Sequence, residues 1–162
     1  MNRFIVTFFV LATVAAAQGL LDQPIKGKTS AEVFSELRSI YQKLSKEDSA
    51  AFSMGVTGLT AQIKGWQKKE MTEIERDEYV FAVVRGMSPR QVIIVGSTLS
   101  ALLYRVHYLE QKAASSVGDK SLAFLKSDAE GVESIAAQFV ARYSKEANQA
   151  SEPTAPSGRG SP

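Results

Sequence analysis

The chain has 162 residues, 44% of them hydrophobic, with 19 Lys and Arg against 17 Asp and Glu and no cysteine. This length and composition suit one globular domain, and the near balance of charge disfavours nucleic acid or an anionic membrane surface as a partner, because both select clustered Lys and Arg. The lack of cysteine excludes disulfides, thiol catalysis and Cys-ligated metal sites.

Residues 1–17 have the pattern of a secretory signal peptide. Arg3 provides a basic start, residues 4–14 an apolar core, and Ala15 to Ala17 a small-residue exit. The core is well short of the roughly 20 residues that a membrane-spanning helix needs. We therefore predict cleavage before Gln18, an extracellular location and, with Arg3 removed, 18 basic against 17 acidic residues in the mature chain.

Three capping-box patterns predict three helices in the first half of the mature chain. The boxes begin at Thr29, Ser45 and Thr72, and apolar residues recur at helical spacing after each. The second helix contains Gly55 and Gly58. Because each interior glycine costs about 0.5–1 kcal/mol relative to alanine, the pair indicates a bend or the close approach of another backbone.

Ser88-Pro89 predicts the start of a long apolar helix at about 89–116. Its uncharged run, 91–104, is too short to span a bilayer of about 30 Å, so we expect the central helix of a bundle. Four consecutive branched residues, 92–95, point in every direction around the helix axis, which predicts that other helices surround this helix on all sides. The small residues that follow from Gly96 permit either close packing or a space, and the sequence leaves both open.

The fold class predicted is all-α: a single bundle of about five helices over 18–147. Residues 122–143 continue the helical spacing, as either one helix or a short helix followed by a long one. We expect the leader at 18–28 to be extended, and the Pro-, Gly- and Ser-rich residues 148–162 to form a disordered tail.

No catalytic or metal constellation is found. His107 is the only histidine, and its neighbours one helical turn away supply no nucleophile. The acidic residues of 64–78 lack the spacing of a calcium loop and suit a solvated helix start. We therefore expect neither an enzyme nor a bound cofactor or metal.

Three short motifs resemble the fatty-acid- and retinol-binding family of nematodes, small secreted helical proteins without disulfides. The first is YQKLSKED at 41–48, the second ERDEYVFAVVRGMSP at 75–89, and the third LEQK at 109–112 followed by KSLAFL at 120–125. A second family, the SXP/RAL-2 type secreted antigens of nematodes, is similar in size, signal peptide and lack of cysteine, with a local similarity at 59–68.

The first resemblance implies a secreted carrier that holds a fatty acid or retinol in an apolar cavity between helices, a kind of site lined mostly by hydrophobic side chains. Arg105 is a candidate partner for the ligand's polar head. The alternative is a secreted interaction or antigen protein with a dry core and no small-molecule ligand. Eight residues are expected to form the cavity wall: Val92, Val95, Leu99, Leu102, Val106, Leu125, Val132 and Phe139.

Overall fold

A computed structural model describes residues 19–66, 72–114 and 117–150. Helix is the only regular secondary structure in these ranges, which confirms the all-α prediction. Residues 19–22 are helical, and five longer helices follow: α1 Ser30–Lys43, α2 Lys46–Trp66, α3 Glu73–Val84, α4 Pro89–Ala113 and α5 Asp119–Ala150.

The long helix α4 is central, packed against α2 on one side and α5 on the other, while α1 and α3 pack near α2. The apolar core lies toward the N-terminal end of α4. In the rest of α4 and α5, from position 101 to position 142, the buried hydrophobic residues among those described are Ala129 and Ala136. The core proper comprises Leu21, Ile25, Val33, Leu37, Ile40, Ala51, Phe52, Leu59, Val80, Val84, Val92, Ile93 and Tyr143.

Side-chain caps start the helices where the sequence predicts them. Thr72 begins α3 with a reciprocal box in which its hydroxyl accepts from the Glu75 N–H and the Glu75 carboxylate accepts from the Thr72 N–H. Ser88 begins α4 in the same way with Gln91, a partner that the sequence prediction did not include. Each cap satisfies N–H groups that have no partner within the helix.

At α1 the predicted box forms in a modified way. The Thr29 hydroxyl accepts a hydrogen bond from the Glu32 N–H at 3.3 Å. The Glu32 carboxylate accepts at 2.7 Å from the backbone N–H of Lys28, one residue earlier than the Thr29 N–H of a standard box.

The glycines of α2 mark a close helix crossing, so of the two predicted explanations the close approach is confirmed. A side-chain carbon on Gly55 would lie 2.5 Å from the carbonyl oxygen of Val92, and one on Gly96 would collide with the Gly55 carbonyl. Close by, the Ser100 hydroxyl donates to the Met54 carbonyl at 3.3 Å across the two helices. Glycine is required here because any Cβ would hold the two backbones apart.

Several predicted boundaries differ from the structure. The region after residue 118 is one helix, which passes through the exposed Gly131 without a break and continues to Ala150, three residues beyond the predicted domain end. The helix α4 ends at Ala113 rather than near 116. The predicted signal peptide at 1–17 lies outside the described residues. Of the predicted tail, 148–162, the first three residues belong to α5 and the rest lie outside the described residues.

The leader differs as well, because residues 19–22 are helical and only the following residues lack regular structure. That part pairs with the turn between α3 and α4. The Ile25 N–H donates to the Met87 carbonyl, and the Gly86 N–H donates to the Ile25 carbonyl, both at 2.9 Å. Gly86 has a φ of 84°, a left-handed conformation that glycine adopts without strain.

By length and composition alone, α4 meets the requirements of a membrane-spanning helix, a test that the core helix of a soluble bundle also passes. Val92 and Ile93 are buried, whereas Val95 is exposed. The prediction that neighbours surround the branched residues 92–95 on every side is therefore wrong at Val95. The cause is that, within the described part of the chain, α4 packs mainly toward α2 and α5.

Candidate functional site

An apolar groove of about 300 Å³ lies between α1 and α2 and is open to solvent on one side. The short connection of Leu44 and Ser45 brings the two helices together. The lining residues recur at helical spacing, so each helix presents one face to the groove. They are Phe34, Leu37, Arg38 and Tyr41 from α1, and Phe52, Ser53, Val56 and Thr57 from α2.

The groove has a buried floor and exposed aromatic edges. Leu37 and Phe52 belong to the core, whereas Phe34 is 37% and Tyr41 50% exposed. The volume is at the lower end of the roughly 300–1,000 Å³ found for ligand pockets. Such a groove can take a slender apolar chain and leave one side of it in water.

Among the residues that the structure describes, Arg38 is the one charged residue that lines the groove. It is exposed, and it makes no ion pair among the residues that the structure describes. A guanidinium is always charged and carries five N–H donors arranged to bind a carboxylate through two parallel hydrogen bonds. Arg38 is therefore available to an anionic group that enters the groove.

A second polar feature, a chain of ion pairs, joins the N-terminal ends of α2 and α4 to the end of α5. The guanidinium of Arg90, whose side chain is 5% exposed, donates to Asp22 at 2.7 and 3.0 Å and to Glu146 at 3.0 Å. Arg142 pairs with Glu146, at 3.2 Å, and with Glu47. Because these charges are already paired, the chain of ion pairs holds the helix ends together and offers no open binding position.

Asp48 and Tyr143 form the buried part of this connection. The Tyr143 hydroxyl donates to the Asp48 carboxylate at 2.5 Å, and the Ser45 hydroxyl donates to its other oxygen at 2.7 Å. Arg142 also contacts Asp48 at 3.3 Å, with its guanidinium 5.2 Å from the centre of the Tyr143 ring. The carboxylate is thus stabilised in a place that is only 7% exposed.

The pKa shifts agree with this arrangement. Burial, then the hydrogen bond to Asp48, raises the pKa of Tyr143 above its ordinary value. Burial acts to lower the pKa of Arg142, but hydrogen bonds to Glu47 and Glu146 outweigh it and raise that pKa. The hydrogen bond to Asp22 is the main cause that raises the pKa of Arg90. All three groups therefore keep their protons at neutral pH.

The predicted cavity-wall residues do not share one environment. Val92 lies in the core. The other predicted wall residues of α4 lie on the outer face of this helix and are half-buried or exposed. The residues expected to face them from α5 are half-buried. By burial, Val92 is buried, Leu99, Leu125, Val132 and Phe139 are half-buried, and Val95, Leu102 and Val106 are exposed.

The space considered beside Gly96 is occupied by protein. The backbone of Gly55 lies against it, so no room for a ligand is left at this crossing. Arg105, the residue suggested for the polar head, lies 3.8 Å from Glu133 and away from the α1–α2 groove.

Sequence reasoning missed the groove, although most of its residues were already visible as the apolar stripes of the first two helices. The signal in the sequence that points to the groove is Arg38. This cation lies next to Leu37 and between Phe34 and Tyr41, on the side of α1 that lines the groove. The stripes alone do not tell which helix faces which.

Comparison with protein-family models, with curated proteins and with solved structures found no match to this chain.

Proposed function

We propose that this protein is a secreted carrier of fatty acids or retinoids and that the ligand lies in the α1–α2 groove. The proposal rests on one observation: an apolar groove is lined by Arg38, a cation that makes no ion pair with any described residue. An amphipathic carboxylic acid matches this arrangement, because its chain suits the floor and its carboxylate suits the guanidinium.

The proposed binding mode follows from the groove residues. The acyl chain lies on Leu37 and Phe52, between the rings of Phe34 and Tyr41, and the carboxylate accepts hydrogen bonds from Arg38. Retinol has the apolar chain without the charge, so it uses the floor and the aromatic edges but gains little from Arg38.

The open side of the groove limits the affinity. A fully buried methylene contributes about 0.8 kcal/mol, so ten half-buried methylenes contribute roughly 4 kcal/mol. A hydrogen bond to a charged group adds about 1.5–3 kcal/mol. After ordering costs, we expect dissociation constants in the range of roughly tens to hundreds of micromolar for a single chain.

The first experiment titrates the refolded mature chain, 18–162, with dansyl-labelled undecanoic acid and separately with retinol. We expect a saturable, blue-shifted emission with each probe, because both leave water for an apolar surface. Absence of a saturable signal up to millimolar protein, together with no lipid in an organic extract of protein from its native source, would contradict the carrier function.

A matched pair of variants tests the role of Arg38. Arg38→Gln should weaken binding of the dansyl fatty acid about tenfold, the equivalent of one charged hydrogen bond at an exposed edge, and leave retinol binding unchanged. Lys43→Gln removes the same charge from the same helix outside the groove and should change neither. Equal effects of the two variants would show that net charge, rather than the groove, attracts the fatty acid.

A second pair tests the groove itself. Thr57 lines the groove and is exposed, so Thr57→Trp should fill the groove and reduce binding of both probes with little change in stability. Ala50→Trp adds the same side chain at an exposed position of α2 outside the groove and should leave binding intact. Unchanged binding in Thr57→Trp would place the ligand elsewhere.

A second candidate function is a helical protein that acts through its surface. The observation in its favour is the set of large apolar side chains left exposed on the outer face of α4, among them Leu102 and Leu109. If neither ligand titration gives a saturable signal and the protein still binds a partner through this exposed face, the surface function is favoured over the carrier.

A further inference from the structure

The outer face of α4 carries apolar residues at alternating steps of three and four positions, and most of them face solvent. Val92 begins the pattern in the core, and Leu99 is half-buried. The remaining members are exposed: Val95 by 42%, Leu102 by 53%, Val106 by 40% and Leu109 by 48%. We call this surface the α4 seam; it consists of Val95, Leu99, Leu102, Val106 and Leu109.

The same alternation on α5 is turned inward, which shows what such a pattern does elsewhere in this chain. Its members at Ala129, Ala136 and Tyr143 are buried, and those at Leu122, Leu125, Val132 and Phe139 are half-buried. Because α5 packs against α4, their burial indicates that they lie on the side of α5 that faces α4. The α4 seam therefore has the pattern of a helix-packing surface, but it lacks a covering helix among the described residues.

The two other faces of α4 are already used. Gly96 and Ser100 lie on the face that meets α2, and Arg90 reaches α5 through the carbonyl of Tyr143 and the carboxylate of Glu146. The seam is thus a third face of α4. Its three-four spacing is the repeat of coiled-coil packing, which suits contact with one more helix.

The apolar residues of the seam indicate how many helices meet there. With Leu99 and Val106 at heptad position a, the d positions are Val95, Leu102 and Leu109. A β-branched residue at a with leucine at d, as at Val106 and its two neighbours, favours two strands rather than three or four.

The flanking charges suit the same arrangement. Arg105 occupies position g and Glu110 position e of the following heptad, five residues later, and these two positions meet across a parallel pair. Within one chain Arg105 is 3.8 Å from Glu133, with both side chains about 40% exposed, a contact that contributes little. The Glu110 carboxylate makes no ion pair in the described part of the chain.

We propose that the α4 seam binds the α4 seam of a second copy of this chain, giving a parallel, two-fold symmetric dimer. Leu102, Val106 and Leu109 form the apolar centre of the interface. Arg105 of each copy pairs with Glu110 of the other, so that the two-fold axis makes the ion pair twice. The dimer does not depend on the α1–α2 groove, which lies on other helices.

The test is sedimentation equilibrium of the mature chain from micromolar to hundred-micromolar concentration. We expect a monomer–dimer equilibrium. Leu102→Glu should raise the dimer dissociation constant at least about a hundredfold, because it buries an unpaired carboxylate in the interface. The position is 53% exposed in one chain, so helical circular dichroism should stay unchanged, and so should the thermal stability measured at concentrations where both proteins are monomeric. Ile74→Glu, at a residue of α3 that is 76% exposed, is the matched control and should dimerise normally.

A charge exchange tests the direction of the helices. Arg105→Glu and Glu110→Arg should each weaken the dimer, and the double variant should restore it. A monomer at all concentrations, or a dimer unaffected by Leu102→Glu, overturns the proposal. Failure of the double variant to restore the dimer overturns the parallel arrangement. Flotation of a monomeric protein with phosphatidylcholine–phosphatidylglycerol vesicles, abolished by Leu102→Glu, would assign the seam to a membrane surface instead.

Discussion

Exchange of a glycine for alanine should have opposite effects at two positions of this protein. In an isolated helix, alanine is more favourable than an interior glycine by about 0.8–1 kcal/mol. At Gly131, exposed within α5, no atom other than the chain neighbours and the backbone of its own helix lies within 4 Å of the added carbon, so Gly131→Ala should raise the free energy of unfolding by about 0.5–1 kcal/mol. At Gly96 the added carbon would lie 2.6 Å from the Cα of Gly55.

The helices α2 and α4 must then separate by at least roughly 1 Å, because this contact must lengthen to a normal carbon–carbon distance of 3.5–4.0 Å and the carbonyl group of Gly55 would lie closer still. Overpacking of this kind costs about 1–3 kcal/mol, and more where backbone opposes backbone. We therefore expect Gly96→Ala to lower the free energy of unfolding by at least about 1 kcal/mol in spite of its better helix propensity.

The assay is urea and thermal unfolding of the mature chain, followed by circular dichroism at the helix band. For a domain of this size, 1 kcal/mol corresponds to a change of about 4 °C in Tm. Equal denaturant slopes in both variants are needed for the comparison. If Gly96→Ala is as stable as the wild type or more stable, the two helices do not meet at these glycines, and the packing described for α4 is wrong.

Two further predictions concern the buried polar chain. Since burial and the hydrogen bond to Asp48 raise the pKa of Tyr143 above 10.0, its stabilisation is complete below about pH 10 and is lost as the pH rises through the folded pKa. The free energy of unfolding should therefore fall more steeply above about pH 10 in the wild type than in Tyr143→Phe; parallel curves would contradict the shift. Arg90→Met removes the ion-pair partner of Asp22 and leaves Glu146 with Arg142 alone. It should cost about 2–4 kcal/mol in urea unfolding, so a loss below about 0.5 kcal/mol would show that the ion pairs of Arg90 contribute nothing net.

Features that depend on neighbours along the chain could be predicted from the sequence. The caps at Thr29, Thr72 and Ser88 join residues three positions apart, so the pattern alone contains both partners. The two glycines of α2 are also close together in the sequence. Because glycine destabilises a helix interior, the pair indicated the close approach of another backbone. The identity of the approaching helix was not part of that signal.

Features that join distant positions could not be predicted. Asp48 and Tyr143 are 95 residues apart, and Asp22 and Arg90 are 68 apart. Helical periodicity gives the face of each helix but not its partner, so a single sequence does not show which charges meet. The groove was missed for the same reason, because α1 and α2 each show an ordinary apolar stripe.

The central helix shows where periodicity misleads. Its three-four stripe predicted the face that packs inside the bundle, yet most of that face is exposed. The faces that pack are marked by small residues, Gly96, Ser97 and Ser100, because small side chains let helix backbones come close together. The predicted wall followed the large apolar residues and therefore included the exposed Val95, Leu102 and Val106.

The most direct test of the proposed function locates the ligand. Amide resonances of the isotope-labelled mature chain are followed during titration with oleic acid, once they have been assigned. A ligand in the groove should shift the resonances of residues 34–41 and 52–57 in a saturable manner, with little change along the α4 seam. Absence of saturable shifts, or shifts centred on residues 95–109, would contradict binding in the α1–α2 groove.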